Sequence, residues 1–351
     1  MYRKIMGFLE AWKESEHRKP LILQGARQVG KTYSILEFGR THYENVAYFN
    51  FETNPKLNET FEENISPDYL IPILSHIAGQ TIVTEKTLIV FDEVQLCERA
   101  LTSLKYFCEN APDYHIIVAG SLLGVAVNRA KFSFPVGKVD MKTLYPMDME
   151  EFMLALGEDD LVEQIKKCFQ TDTPLPSALH DAAMQLYRQY LVVGGMPECV
   201  MQFAETKDYI LVRHTQDTIL ASYLNDMSKY NNLNEIKKTR LAYDNITVQL
   251  SKKNTRFQYK LIKKGGRASE FENAIEWLCL SGIVSQVYKV EQIKKPLENY
   301  RDIDAFKIYV SDLGLLCAKK DLAANDILYM VEEINDFKGG MAELCQCTAL
   351  H

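Results

Sequence analysis

Gly25-Ala26-Arg27-Gln28-Val29-Gly30-Lys31-Thr32 is the stretch on which the fold turns. It satisfies G-x-x-x-x-G-K-[ST], a loop whose backbone N–H groups cradle phosphates. Four fixed positions arise by chance in about one chain of this length in a hundred at ordinary residue usage, so the flanks must decide. Leu21-Ile22-Leu23 before the loop reads as a short buried strand. Tyr33 to Phe38 after it reads as a helix, with Gly39 as its C-terminal stop. Strand, glycine-rich loop and helix together aim amides and the positive helix end at an anion. This assigns nucleotide binding to Gly25, Ala26, Arg27, Gln28, Val29, Gly30, Lys31 and Thr32. Lys31 would reach the β- and γ-phosphates of a bound nucleotide, and Thr32 would hold Mg²⁺.

Working outward, Val46–Phe51, Thr87–Phe91, Ile116–Ala119 and Val139–Leu144 read as further strands. Helical patterns cover roughly 1–17, 57–78 and 98–110. Strands alternating with helices imply a parallel α/β sheet. The strand ending at Phe91 runs into Asp92-Glu93. Acids directly after a buried parallel strand lie at the edge where such sheets bind ligands. Asp92 there orients Mg²⁺, and Glu93 polarises a water for attack on the γ-phosphate; phosphoryl transfer asks mainly for positioning and charge stabilisation. Ser121, after Ile116–Ala119 and Gly120, is placed to sense the γ-phosphate or hold that water. Its alternative role is to cap the next helix. Arg27 and Gln95 are weaker candidates, and Arg129, Arg188 and Arg213 are candidate arginine fingers among which spacing does not choose.

The bulk numbers fit this reading. The 351 residues are 47% apolar and 25% charged, which suits two or three globular domains with real cores. A net charge of −7 argues against a wholesale electrostatic nucleic-acid binder. No run approaches the ~18 apolar residues of a membrane span. The early charges of the N-terminus do not fit a secretory signal. The eight cysteines form neither a C-x-x-C pair nor a zinc pattern, so reduced thiols in a cytoplasmic protein are expected.

From about 147 to 225 the pattern is helical, broken at Thr173–Pro176 and at Gly194-Gly195-Met196-Pro197. Then come a helix over 234–250, a basic helix over 257–264, a Gly265-Gly266 turn and a third helix. Ser269 and Glu272 form a capping box for that third helix, with Phe271, Ala274, Ile275 and Leu278 on one face. Ile283–Val290 and Phe306–Val310 complete a winged-helix plan as a hairpin. Lys252, Lys253, Arg256, Lys260, Lys263, Lys264 and Arg267 could neutralise phosphates. Glu270, Glu272 and Glu276, at the start of the helix that would enter a groove, would repel DNA. DNA, a protein client and a merely solvated basic face therefore all stand as readings of this module.

These motifs recur together: the 25–32 loop, Asp92-Glu93-Val94-Gln95, Ala119-Gly120-Ser121, Tyr145-Pro146-Met147 with Glu151-Phe152, Gly194–Pro197 and Tyr309–Leu315. The chain resembles the AAA-type P-loop ATPases of bacteria and archaea that carry a C-terminal domain of unknown function, number 4143. The resemblance runs over nearly the whole chain. It implies an α/β fold with an AAA-like P-loop parallel sheet, a helical lid and a winged-helix domain, using ATP and Mg²⁺. The expected bounds are 1–155 for the ATPase core, 156–230 for the lid, 231–320 for the winged helix and 321–351 for the start of a truncated, nuclease-like domain. Lys138 stands where many relatives carry Arg, and Lys lacks the planar fork of Arg. The expected activity is an ATP-driven conformational switch, in a homo-oligomer if a finger acts between copies. A nucleotide-gated binding module with little turnover and a small-molecule kinase are the alternatives.

Overall fold

The computed structural model describes residues 1–120, 134–229, 233–250, 256–330, 332 and 335–349. The chain divides into two compact units, Arg3–Tyr145 and, with Met1–Tyr2, Pro146–His351.

The first unit is built on a five-stranded parallel sheet. Its strands are β1 (Leu21–Gln24), β2 (Asn45–Asn50), β3 (Thr87–Asp92), β4 (His115–Ala119) and β5 (Asp140–Thr143), in the order β2-β3-β4-β1-β5. Every residue of β3 and β4 is buried. Helices cover both faces of a parallel sheet, so its central strands read as unbroken apolar runs. The helices are α1 (Ile5–Glu14), α2 (Lys31–His42), α3 (Lys56–Glu63), α4 (Pro67–Ala78) and α5 (Glu98–Asn110). On one side of the sheet Phe51, Phe61 and Phe91 form an aromatic core, the last two edge-to-face with centroids 5.5 Å apart.

Two expectations change here. Gly39 does not end α2, which runs on to His42. Its bare Cα lets the helix lie close on the sheet: an added Cβ would sit 2.5 Å from Val46 Cγ2 and 3.1 Å from Leu88 Cδ2. The helix expected over 57–78 is two helices. Pro67 lacks an N–H and serves as the first residue of α4. Asn64 makes the turn before it, accepting from Ser66 N at 2.9 Å.

The second unit begins with α6 (Met149–Ala155), α7 (Asp159–Gln170), α8 (Ser177–Val193), α9 (Pro197–Thr206) and α10 (Tyr209–Lys229). It continues with α11 (Leu233–Leu250), α12 (Ala268–Leu280) and an antiparallel hairpin of β6 (Val284–Val290) and β7 (Arg301–Val310). It closes with α13 (Leu313–Lys319), α14 (Ala324–Leu328) and α15 (Asn335–Ala349). The basic helix expected over 257–264 is one 3₁₀ turn, Tyr259–Leu261. Phe257 N donates to Phe306 O at 2.7 Å and Gln258 N to Gln249 Oε1 at 2.8 Å, which ties the start of that stretch to its neighbours instead of to a helix. The Ser269–Glu272 capping box does not form either. Arg267 occupies the N-cap, so Ser269 already lies inside α12. The expected buried face of Phe271, Ala274, Ile275 and Leu278 is present. A capping box does form at Asp148 and Glu151, where Glu151 N donates to Asp148 Oδ1 at 2.9 Å.

A buried junction organises this unit. Gly194 ends α8 at φ 73°, and a Cβ there would meet Asp312 Oδ1 at 2.3 Å. Asp312 caps α13 by accepting from Leu315 N at 2.9 Å and also accepts from Gly195 N at 2.6 Å. Burial pushes its carboxyl up to about 6 from 3.8, with the N–H groups of Gly195, Leu315 and Gly314 pulling it back. A raised carboxyl pKa makes ionisation costly in the fold. The cost is nil below the unfolded value, grows between the two values and is constant above about 6. A rise of that size is worth about 3 kcal/mol. Wild type should therefore lose about 3 kcal/mol relative to Asp312→Asn between about pH 4 and pH 7 in urea unfolding. A difference that does not change with pH would contradict a titrating Asp312.

Candidate functional site

Insertion of β4 between β1 and β3 sets the scale of the site. The registers align Ile22 with Val118 and Val118 with Phe91. The strands that carry the loop and the acids thus end level, about 10 Å apart at ~4.8 Å per strand spacing. Thr32, in the first turn of α2, closes that gap. Its Oγ1 donates to Asp92 Oδ2 at 2.9 Å.

The loop's backbone is unusual at three places. Gly25 has φ 145°, and a Cβ on it would fall 2.1 Å from Leu144 O. Gln28 and Gly30 lie at φ 65° and 89°, and Gly30 is the N-cap of α2. Successive turns of this kind make a concave nest of amides. Among the described residues, no backbone carbonyl accepts from the N–H of Val29, Gly30 or Lys31, as expected of a helix start that serves an anion. Lys31 is only 7% exposed. Its Nζ donates to Gly25 O at 2.9 Å and Ala26 O at 2.7 Å. Burial lowers its pKa to about 8, with Glu93 and Asp92 opposing the shift and Arg27 adding to it.

Asp92 is buried, and both its oxygens are engaged. Oδ2 accepts from Thr32 and, at 2.7 Å, from Tyr48 Oη; Oδ1 accepts from Glu93 N at 3.0 Å. Burial is the main cause that raises the Tyr48 hydroxyl to about 12, so it stays a donor. Asn50 Nδ2 in turn donates to Tyr48 Oη at 3.2 Å. Glu93 adopts φ 52°, a strained conformation for a non-glycine residue and one concentrated at functional sites. Gln95 Nε2 donates to Glu93 Oε2. Gln95 Oε1 is buried and has no partner among the described residues. A nest of amides, a buried ammonium and a carboxylate joined to a hydroxyl suit a phosphate chain with a divalent cation. Thr32 and Asp92 are the residues able to hold the cation.

The remaining candidates separate. Ser121 and Arg129 lie outside the described residues, as do Lys252 and Lys253. Arg213 serves the second unit, donating to the carbonyls of Ala318 and Leu322 where α13 ends. Arg188 is exposed on α8. Lys138 pairs with Glu109 at 3.0 Å. It precedes β5, whose first N–H, from Asp140, meets Pro20 O ahead of β1, so Lys138 sits at the sheet edge opposite the loop. Of the basic stretch, Arg256, Lys260, Lys264 and Arg267 are exposed, and Lys263 pairs with Glu270 at 3.1 Å. No described helix is long and apolar enough to cross a membrane, and Cys97, Cys108, Cys168, Cys199, Cys279, Cys317 and Cys345 form no disulfide among the described residues.

Sequence reasoning missed two residues of the site. Tyr48 was readable in principle, because alternation along β2 puts it on the same face as Asn50 at the strand's C-terminal end. Arg3 carried no signal. Its Nη1 donates to Val29 O at 3.0 Å and its Nη2 to Tyr145 O at 2.7 Å.

Comparison with known proteins agrees with this geometry. Residues 17–153 match the family model described as an AAA domain. Over that span the N-terminal unit is similar to an AAA domain. Residues 184–326 match a domain of unknown function numbered 8612, in place of the number 4143 that the resemblance implied. No curated protein matches the chain significantly. Among solved structures, the Aeropyrum pernix ORC2 protein in its ADPNP–ADP complexes is 12% identical with a TM-score of 0.42, covering 100% of this chain and 96% of that one. The Thermotoga maritima RuvB Holliday junction branch migration motor is 13% identical at 0.34, covering 88% and 90%. The Aeropyrum pernix ORC1 protein in complex with DNA is 12% identical at 0.32, covering 91% of each chain. At such scores these likenesses carry no argument about what the chain does.

The fit of Gly25 against Leu144 generates a direct test. Gly25→Ala combines overpacking of about 1–3 kcal/mol with a positive-φ cost of about 1–2 kcal/mol. Urea unfolding should show a loss of about 2–5 kcal/mol. An unchanged midpoint would show that the loop does not pack there.

Proposed function

We propose that this chain is an Mg²⁺-dependent ATPase whose nucleotide state drives a conformational switch. The observation that supports it most is the 2.9 Å bond from Thr32 Oγ1 to Asp92 Oδ2 beside the buried Lys31 ammonium. The loop amides and Lys31 grip the β- and γ-phosphates, where phosphate oxygens take the place that the Gly25 and Ala26 carbonyls hold on Nζ. Mg²⁺, held by Thr32 and Asp92, would supply charge neutralisation on the phosphate oxygens. Glu93 accepts a proton from water as the water oxygen bonds to the γ-phosphorus. The bond from that phosphorus to the β–γ bridging oxygen breaks, and ADP carries the electron pair away. Gln95, already donating to Glu93, holds the carboxylate in place. Tyr48 steadies Asp92, as outer partners of metal-holding carboxylates commonly do.

The helical lid over 156–230 and the winged helix over 231–320 are part of this proposal. The succession of helix, 3₁₀ turn, helix and antiparallel hairpin from Leu233 to Val310 supports the second assignment. In this reading these elements are the arm that responds to the nucleotide.

Glu93→Gln should bind ATP about as tightly as wild type but release phosphate about 10²–10⁴-fold more slowly. Equal turnover would strike Glu93 from its role, and tight ATP binding with no phosphate release by wild type would mean a nucleotide-gated binding module instead. The lowered pKa of Lys31 adds a pH signature. Its ammonium is protonated below about 8 and lost above it, so metal-free ADP affinity should hold steady to about pH 7.5 and then weaken by up to about tenfold for each further step of one in pH. Fluorescence titration of Lys31→Ala should give weak binding without that bend. A bend retained in the variant would assign it to another group.

A further inference from the structure

We propose that Arg3 is a positioning residue for phosphate binding: its guanidinium fixes the direction in which the Val29–Gly30 peptide faces. The inference rests on the nucleotide reading of the loop and adds a part of the chain that no phosphate touches.

Arg3 lies 26 residues before Val29, yet its Nη1 donates to Val29 O at 3.0 Å in a buried contact. Arg3 is 4% exposed and Val29 is fully buried. A trans peptide is planar, with its C=O and the following N–H pointing in opposite directions. Drawing the Val29 carbonyl toward Arg3 therefore turns the Gly30 N–H the other way, toward the open side of the nest. Gly30 could rotate freely were it not held, because glycine tolerates both signs of φ. Its φ of 89° is one of several available to it. A single flip of this peptide would aim an oxygen, in place of a donor, at an arriving phosphate.

The strut has a firm base. Arg3 O accepts from Met6 N at 3.0 Å in the first turn of α1, and α1 buries Ile5, Leu9 and Trp12. The second arm of the fork, Nη2, holds Tyr145 O at 2.7 Å. Gly25, at the other end of the loop, is closed against Leu144 O, the preceding carbonyl. Both ends of the loop are thus referred to the same two residues after β5. Each carbonyl is taken by a different nitrogen of one planar fork, a geometry that the single ammonium of Lys does not reproduce. The guanidinium also places a positive charge behind the loop without itself touching phosphate.

The test compares wild type with Arg3→Met and Arg3→Lys by calorimetry with ADP and with pyrophosphate, by amide hydrogen exchange over 25–32 without nucleotide, and by steady-state ATPase. Loss of a charge-assisted bond predicts about 10- to 100-fold weaker binding of both ligands by Arg3→Met. Loop amides should exchange faster, and KM for ATP should rise more than kcat falls. Arg3→Lys, with a donor for one carbonyl, should fall between. If Arg3→Met does not fold, Arg3→Lys decides on the same readouts. Wild-type affinity and exchange in the foldable variants would overturn the role of Arg3 and leave the ATP reading standing. A wild type that binds no ADP would overturn the ATP reading, while the exchange comparison still decides whether Arg3 orders the loop.

Discussion

One hydrogen bond, from the hydroxyl of Thr32 to the carboxylate of Asp92, depends on nearly everything else in the first unit. The donor comes from the helix after β1 and the acceptor from the end of β3, two strands away with β4 between them. Only a parallel sheet in this order and register brings both to one edge. A slip of one residue in β3 would exchange faces along the whole strand. Phe91 would leave the cluster it forms with Phe51 and Phe61, and Asp92 would turn from Thr32. The aromatic packing therefore holds the carboxylate in register, at a place where no apolar contact could.

The charge balance of the site follows from that closeness. Lys31 is nearly out of water, and its desolvation is relieved by two carbonyls and by the fields of Glu93 and Asp92. Low local polarity strengthens each of these bonds and equally penalises any group left without one. Asp92 meets that demand with three donors, Thr32, Tyr48 and Glu93 N. Tyr48 contributes a neutral donor, so it satisfies the carboxylate without cancelling its charge. The same logic makes Gln95 informative. Its amide nitrogen is taken up by Glu93, and its buried carbonyl oxygen has no partner among the described residues.

Much of this was legible in the sequence, for reasons that differ by element. The loop is a local motif, and β3 and β4 announce themselves because both faces are buried. Asp92 and Glu93 follow from the end of such a strand. What stayed hidden depends on partners distant in the chain. Gly39 reads as a helix stop until β2 and β3 supply the side chains it avoids. Phe257 looks helical until the hairpin claims its N–H. Ser269 has the spacing of a cap, but Arg267 enters the helix ahead of it. Arg3 has no local signature at all. Its role exists only when Val29 and Tyr145 are brought together.

The paired glycines of the second unit, which the sequence marks as a break between helices, prove to be a steric requirement. Gly194-Gly195-Met196-Pro197 and Asp312-Leu313-Gly314 are far apart in the chain, yet each explains the other. A side chain on Gly195 would reach 1.9 Å from Met147 O, and one on Gly314 would reach 2.3 Å from Val193 O. The space left open admits Asp312 to Gly195 N and Gln216 Nε2 to the carbonyls of Val192 and Val193. Met147 N meets Gly195 O, and Met147 O accepts from Tyr190 Oη at 2.8 Å. The end of α8, the start of α13 and the segment before α6 therefore meet through backbone groups, where no residue larger than glycine fits. Close packing of this kind excludes water, which is why the Asp312 carboxyl titrates so far above its ordinary value despite three amide donors. The glycines and the raised pKa are one feature seen twice: the same lack of space that forbids a side chain also withholds the solvent that a carboxylate needs.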